Sequence, residues 1–147
     1  MIDKSVVGKE YPEVEFEIEK GKIREFARAI GDKNPVYYSE DAAGKEGYES
    51  LAIPPTFPTI FGIAGGLAAV LGSLKIDMKK LLHGGQEYEY LNPVKVGDVI
   101  KGKTKIIDLF DKPGKAGVMD FLVMETTYVN QNGQEVLRDK CTLVIRR

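Results

Sequence analysis

Hydrophobic and polar residues alternate strictly near the start of the chain. Residues 13–19 read EVEFEIE, so three apolar side chains face one way and four glutamates face the other. This alternation predicts a half-buried strand. The apolar residues that follow recur at helical spacing, which predicts a short amphipathic helix over residues 22–30, with Gly31 as its natural terminator.

A long irregular segment is predicted between this helix and the middle of the chain. Residues 32–55 contain an Asn-Pro pair and a Pro-Pro pair, and both pairs favour turns over regular structure. One short helix is expected inside the segment, near residues 41–45.

The most apolar stretch of the chain predicts a second, long helix over residues 58–75, with Thr56 as its cap. Its sequence is apolar nearly all round, so this helix must be covered on nearly all sides. One sheet cannot do that well, and we therefore expect a second copy or a related chain to complete the cover. A membrane-spanning helix is the less favoured interpretation, because Thr59, Ser73 and four glycines interrupt the run.

Beyond residue 85 the pattern is that of strands. Residues 86–91, 99–107, 118–129 and 135–147 form four such segments, and an Asn-Gly turn connects the last two. Residues 111–117 (DKPGKAG) are polar and predict a flexible connection. The order of elements predicts an α+β fold in which a twisted antiparallel sheet wraps around one long apolar helix.

Composition and charge narrow the class of protein. With 147 residues, 43% of them hydrophobic, the chain is expected to form one domain, residues 1–147, with a substantial core. A net charge of -1 gives no reason to expect a nucleic acid or an anionic membrane as partner. The one cysteine, Cys141, excludes an internal disulfide and, with no secretory leader, favours the cytoplasm. The one histidine, His83, argues against a zinc site, and no metal or cofactor is expected.

The candidate chemistry lies in GDKNPVYY, residues 31–38. Its pattern and position resemble the MaoC-like hotdog-fold dehydratases and hydratases, whose signature is Gly-Asp-x-Asn-Pro-aliphatic-His after a short helix. This chain matches at every position except the last, where Tyr37 replaces the histidine. The stretches VVGKEYPEVEFEIEKGKIREFARAIGD, LAIPPTFPTIFG and YLNPVKVGDVI are similar to the N-terminal dehydratase domain of this group. More narrowly, they resemble the A-type subunit of two-subunit (3R)-hydroxyacyl-ACP dehydratases.

This resemblance implies a hotdog fold that works as a dimer, and it implies a reaction. The reaction is the reversible loss of water from a (3R)-3-hydroxyacyl thioester, which needs a base for the C2 proton and an acid for the leaving hydroxyl. Histidine suits proton transfer near neutral pH. A backbone N–H at the start of the long helix polarises the thioester carbonyl, helped by the helix dipole.

The family's roles carry over to this chain one residue at a time. The resemblance assigns Asp32 to the acid position, Asn34 to the supporting amide, and Thr56 or Phe57 to the N–H that binds the carbonyl oxygen. Tyr37 has an ordinary pKa of ~10 against ~6.5 for histidine, so acting as a base at neutral pH would need about 4 kcal/mol of differential stabilisation. Tyr37 can donate a hydrogen bond as an acid, but it does not replace the base, and a degenerate site is expected.

Three functions stay open at this point. The first is an acyl-thioester-binding subunit of a (3R)-hydroxyacyl-ACP or -CoA dehydratase in fatty acid metabolism, as a homodimer or as a heterodimer with a catalytic MaoC-like subunit. The second is a self-sufficient (R)-specific enoyl-CoA hydratase that uses Asp32, Tyr37 and water. The third is an acyl-thioester-binding protein without turnover. The expected ligand is an acyl-CoA or acyl-ACP thioester in each case.

Other residues of possible chemical interest receive structural interpretations. We expect His83 to lie in a loop or interface at the entry to a strand, and Gln86, Tyr88 and Tyr90 to share one face of that strand in a structural role. Cys141 is expected to be a buried, inert thiol. Three lysines alternate on one strand and predict a solvated face, with phosphate docking as the alternative: Lys101, Lys103 and Lys105.

Overall fold

The computed structural model describes residues 2–114 and 117–147. The strands in this part of the chain form one five-stranded sheet: β1 (Val14–Glu17), β2 (Leu81–Tyr90), β3 (Val99–Gly114), β4 (Gly117–Val129) and β5 (Glu135–Arg146). The α-helices are α1 (Lys20–Ala29), α2 (Glu40–Lys45), α3 (Thr59–Ala64) and α4 (Gly66–Leu74). Short 3-10 turns occupy Lys4–Val6, Pro35–Tyr37 and Met78–Lys80.

The sheet has the strand order β1-β3-β4-β5-β2, and every neighbouring pair is antiparallel. The Asn-Gly turn between β4 and β5 forms as predicted. The Asn130 side chain accepts the backbone N–H groups of Asn132 and Gln134, both at 3.0 Å, and Gly133 adopts a φ of +73°. This turn fixes the register that places Asp139 opposite Thr126 on β4.

The predicted long helix over residues 58–75 is interrupted at Gly65, where φ is -122° and ψ is -101°. A Cβ at Gly65 would lie 2.7 Å from Cγ2 of Val14, and a Cβ at Gly66 would lie 2.0 Å from Oγ1 of Thr104. The segment therefore approaches the sheet so closely that only glycine fits at these two positions. The prediction of one continuous helix was wrong for this reason. No helix in the described residues is long and apolar enough to cross a membrane.

The predicted cap at Thr56 was also wrong. The helix α3 begins after Pro58, which has no side-chain group to cap it. Thr56 contacts the start of α3 through its carbonyl oxygen, which accepts hydrogen bonds from the Thr59 N–H at 3.0 Å and the Thr59 hydroxyl at 2.7 Å.

Two strand boundaries differ from the prediction. Residues 111–114 continue β3 rather than forming a flexible connection, because the strand pair is held by Phe110 and Phe121, whose rings stack at 5.1 Å. The remainder of that predicted connection, residues 115–116, lies outside the described residues. The other difference is in β2, which begins at Leu81 and has an irregularity between His83 and Gly85. His83 therefore lies within the strand and not in a loop before it.

The helices pack on the sheet through two apolar clusters. In one, Ile23 of α1 and Phe61 of α3 meet Tyr128 of β4, and in the other, Val70 of α4 meets Leu122 of β4. The outer side of the same helical segment is uncovered, since Ile63 is 60% exposed. The expectation that another chain covers this side stays a prediction.

Candidate functional site

The motif loop begins where α1 ends. Gly31 adopts a φ of +74°, which glycine reaches without strain, and the N–H of Asp32 donates to the Ala27 carbonyl at 2.9 Å. This ending turns the chain back toward the helix that it has just left. Asp32 is thereby placed half-buried at the start of the turn.

Polar groups of the motif hold the loop together. The carboxylate of Asp32 accepts the N–H of Asn34 at 2.9 Å, and the Asn34 side-chain oxygen accepts the N–H of Val36 at 3.2 Å. The hydroxyl of Tyr38 donates to the backbone carbonyl of Asp32. Asp32 and Asn34 therefore act as turn formers here, as such residues ordinarily do, and this bracing gives the loop one defined conformation.

Tyr37 is directed into the protein and is only 9% exposed. Burial raises the pKa of its hydroxyl, and the nearby charge of Asp32 raises it further, with Tyr48 adding to the effect. The shift is opposite to the one that a catalytic base would need. At neutral pH the Tyr37 hydroxyl is protonated and can donate a hydrogen bond but cannot accept the C2 proton.

A cavity of about 550 Å³ lies beside this loop. Its lining includes Asn34, Tyr37 and Tyr48, together with Lys45 of α2, but it does not include Asp32. The structure thus brings the motif residues together in one turn, while only part of the motif faces the cavity.

The two candidate N–H donors before α3 differ in availability. The N–H of Phe57 donates to the Pro54 carbonyl at 2.9 Å, and its ring packs edge-on against Phe26 and Phe61 in the core. Thr56 is exposed, and its N–H has no hydrogen-bond partner within residues 2–114 and 117–147. Of the two, Thr56 offers the free backbone donor.

A second group of polar side chains, which the sequence analysis missed, lies on the sheet beneath α3. Asp139 is only 5% exposed, its carboxylate accepts the side-chain amide of Gln86, and Oε1 of Gln86 lies 2.9 Å from Nε2 of His83. These three residues line a cavity of about 170 Å³ with Thr59 and Leu67, which we name the α3 cavity. Burial raises the pKa of Asp139 to about 7, although the charge of His83 acts in the opposite direction.

A signal for this group is present in the sequence. Inward positions of β5 are otherwise apolar, and Asp139 interrupts them between Leu137 and Cys141. A carboxylate on the buried face of a strand is costly unless it is paired or protonated, so such a position indicates a functional or structural role.

Tyr88, Tyr90 and Cys141, which the sequence also singled out, have structural roles. The Tyr88 hydroxyl lies 2.6 Å from Oγ1 of Thr59, and the Tyr90 hydroxyl donates to the Pro55 carbonyl at 2.9 Å, so this face of β2 fastens the start of α3. Cys141 is buried, and burial raises the pKa of its thiol to about 11, as suits an unreactive cysteine.

The lysine row on β3 is exposed and largely paired. Nζ of Lys103 lies 2.6 Å from Glu10, and Nζ of Lys101 lies 3.8 Å from both Glu13 and Glu15. These contacts reduce the positive charge that the row offers to a phosphate. In the described part of the chain, no group of three or more His, Cys, Asp and Glu side chains is placed to hold a metal ion.

Comparisons with known proteins identify the family and the fold of this chain. The family described as FAS1-like, dehydratase domain region, matches residues 5–139. A UPF0336 protein of Thermobifida fusca is 34% identical over 147 residues, which cover 99% of this chain and 94% of that protein. The HadBC (3R-hydroxyacyl-ACP dehydratase) complex from Mycobacterium tuberculosis contains a chain that superposes with a TM-score of 0.79. That chain is 27% identical, and the match covers 95% of this chain and 96% of that one.

A solved MaoC-like dehydratase superposes with a TM-score of 0.82 at 23% identity, over 96% of this chain and 42% of the other. The predicted α+β hotdog fold is confirmed by these likenesses, and the predicted family is confirmed with it. The chain belongs to the MaoC-like hotdog-fold dehydratase and hydratase family, in its FAS1-like dehydratase region.

Proposed function

We propose that this chain is an acyl-thioester-binding subunit of a (3R)-hydroxyacyl thioester dehydratase of fatty acid metabolism in the cytoplasm. In this proposal, a second MaoC-like subunit supplies the catalytic histidine. The observation that carries the proposal is the residue at position 37, because a buried tyrosine with a raised pKa stands where the family motif places its base.

Two further observations support a partnered arrangement. The HadBC dehydratase, whose chain superposes on this one, is a complex by its name. The outer side of α3 and α4 is also apolar and uncovered, with Ile63 the most exposed apolar residue on it. A protein surface of this kind favours contact with another chain.

The proposal gives each motif residue a binding or positioning role. Asp32 and Asn34 hold the loop in one conformation, and the protonated hydroxyl of Tyr37 faces the 550 Å³ cavity as a hydrogen-bond donor. The free N–H of Thr56 polarises the thioester carbonyl, which lowers the energy of the enolate that forms when the C2 proton leaves. The partner's histidine takes the C2 proton and passes it to the C3 hydroxyl, which leaves as water as its bond to C3 breaks.

The test compares binding with turnover. Calorimetry with crotonyl-CoA should show saturable binding to the purified chain, and an absorbance assay of crotonyl-CoA hydration should show no turnover by this chain alone. Turnover should appear when a MaoC-like subunit with an intact Asp-x-Asn-Pro-x-His motif is added.

Other outcomes point to the alternative functions. Turnover by the chain alone that disappears in Asp32→Asn would show a self-sufficient hydratase and refute the proposal. Saturable binding with no turnover in any pairing would show a binding protein. A chain that does not bind crotonyl-CoA, either alone or with the partner, would refute all three thioester functions.

A further inference from the structure

The face of the sheet that points away from the helices is divided into a charged half and an apolar half. Alternate residues of each strand point to this outer face, because the residues between them, such as Leu122 and Leu143, belong to the core beneath the helices. In the charged half, outward side chains pair across strands within the chain. Nζ of Lys140 on β5, for example, lies 3.3 Å from the carboxylate of Glu87 on β2.

In the other half of the outer face, apolar side chains form a continuous row. The row follows one line of the strand register across β3, β4, β5 and β2, and we name it the outer stripe: Phe110, Phe121, Val144 and Leu82. At one end the two phenylalanine rings stack with their centroids 5.1 Å apart, and at the other end Leu82 is 44% exposed. Apolar surface that continues across four strands indicates a contact with another molecule.

The outer stripe has charges of opposite sign on its two sides. Asp108 and Lys112 stand two residues before and two residues after Phe110 on β3, so both point outward and both lie roughly 7 Å from it along the strand. Arg146 follows Val144 at the same spacing on β5 and adds positive charge on the Lys112 side. Within residues 2–114 and 117–147, none of these three charged groups forms a salt bridge.

The side chain of Lys112 lies over the edge of the outer stripe. Its Nζ is 5.2 Å from the centroid of the Phe110 ring and 5.5 Å from that of Phe121, and the residue is exposed. The ammonium group can therefore reach a carboxylate on a surface that packs against the stripe. Such a surface must be apolar in the middle, negative on the side that meets Lys112 and positive on the side that meets Asp108.

A second copy of this chain has that surface. Two sheets pack face to face about 10 Å apart with their outward side chains interdigitated. If a twofold axis runs along the outer stripe between the two sheets, stripe packs on stripe and the strands of the second copy point the opposite way. Lys112 of each copy then faces Asp108 of the other, so the symmetry forms this pair twice. A twofold axis along the strands would instead place the two positive sides together.

We propose that this chain associates with a second copy of itself through the outer stripe, sheet against sheet, with Lys112 of each copy paired to Asp108 of the other. The contact lies on the side of the sheet opposite to the helices and the motif loop. It therefore leaves the uncovered side of α3 and α4 free for a different chain, and it does not depend on thioester binding.

The test exchanges the charges beside the outer stripe and measures association by sedimentation equilibrium of the purified chain. In Lys112→Asp, two carboxylates face each other at both symmetric positions, and in Asp108→Lys, two ammonium groups do so. Each variant should associate at least about tenfold more weakly than the natural chain. Circular dichroism checks that both variants are folded.

Mixing the two variants tests the pairing itself. One variant carries two negative groups where the other carries two positive groups, so an equimolar mixture should associate about as tightly as the natural chain. The double variant, Lys112→Asp with Asp108→Lys, should also associate about as tightly, because the pair is restored in reversed order.

Two further variants test the place of the contact. Leu82→Gln removes an exposed apolar side chain from the outer stripe and should weaken association at least about tenfold. The matched control is Lys101→Asp, which reverses an outward lysine of the same strand at the opposite end of the sheet. This control should associate as the natural chain does.

Equal masses of the natural chain and Lys112→Asp at every concentration would overturn the proposal. So would a Lys101→Asp variant as weak as Lys112→Asp, or a mixture of the two charge variants that associates no better than either variant alone. Sedimentation with phosphatidylglycerol vesicles that Lys112→Asp abolishes and Asp108→Lys strengthens, in a natural chain that does not associate with itself, would show a membrane contact in its place.

Discussion

The close approach of α4 to the sheet predicts a severe effect of Gly66→Ala. An alanine Cβ at this position would lie 2.0 Å from Oγ1 and 2.9 Å from Cβ of Thr104, nearer than side chains can approach without movement. Thr104 is fully buried on β3, and its hydroxyl lies 2.8 Å from that of Thr126. Accommodating the methyl group must shift the helix or break this hydroxyl pair.

The size of the effect follows from these contacts. Overpacking a core costs about 1–3 kcal/mol, and a buried hydroxyl that loses its partner costs about 1–3 kcal/mol more. Replacing glycine by alanine inside a helix stabilises the folded protein by about 1 kcal/mol, which offsets part of this cost. We therefore expect Gly66→Ala to lower the free energy of unfolding by about 1–5 kcal/mol, with about 3 kcal/mol as the central value.

Urea unfolding measures this difference against a matched control. Gly72→Ala makes the same substitution in the same helix, where an added Cβ meets nothing within 4 Å, and it should raise the free energy of unfolding by up to about 1 kcal/mol. Combining Gly66→Ala with Thr104→Ala should recover about 1 kcal/mol or more, because Oγ1 is removed. Equal stabilities for Gly66→Ala and Gly72→Ala would refute the packing of α4 against β3.

Three further predictions concern buried groups. Burial raises the folded-state pKa of Asp139 to about 7, so the free energy of unfolding should fall as pH rises from about 4 to 7. In urea titrations across this range, Asp139→Asn should raise the free energy of unfolding by about 2–4 kcal/mol above pH 7 but not near pH 4. Hydrogen bonds from Arg147 hold the pKa of buried Asp120 below its usual range, so Asp120→Asn should cost about 1–3 kcal/mol at neutral pH, and the difference should vanish as pH falls below the usual carboxyl range. Cys141 should react with a thiol reagent at the rate of unfolding, and fast labelling of the folded protein would contradict its burial.

Local patterns were enough to predict much of the fold. The alternation before α1, the Asn-Gly turn and the strands after residue 85 all depend on neighbours in sequence, and each was found close to its predicted place. The interruption at Gly65 could not be predicted in the same way. Four glycines in that segment look alike in sequence, and only the distance to Val14 and Thr104 shows which of them the packing requires.

The same distinction applies to the site. Asp32 and Asn34 could be recognised because their hydrogen bonds close within the turn itself. The Asp139 group depends on contacts across 53 residues of sequence, from β5 to Gln86 on β2, and on the helix that lies above them. Such a group emerges only when strand register and helix position are both known.

The most direct test of the proposed function restores the missing base. Crotonyl-CoA hydration should be measured for the natural chain and for Tyr37→His, each without a partner, with Asp32→Asn added to the second as a control. Positioned acid–base catalysis contributes about 10²–10⁴-fold, so Tyr37→His should exceed the natural chain by at least about 10²-fold, and the control should return to background. A natural chain that hydrates crotonyl-CoA as fast as Tyr37→His, or a folded Tyr37→His protein that gains nothing, would contradict the account.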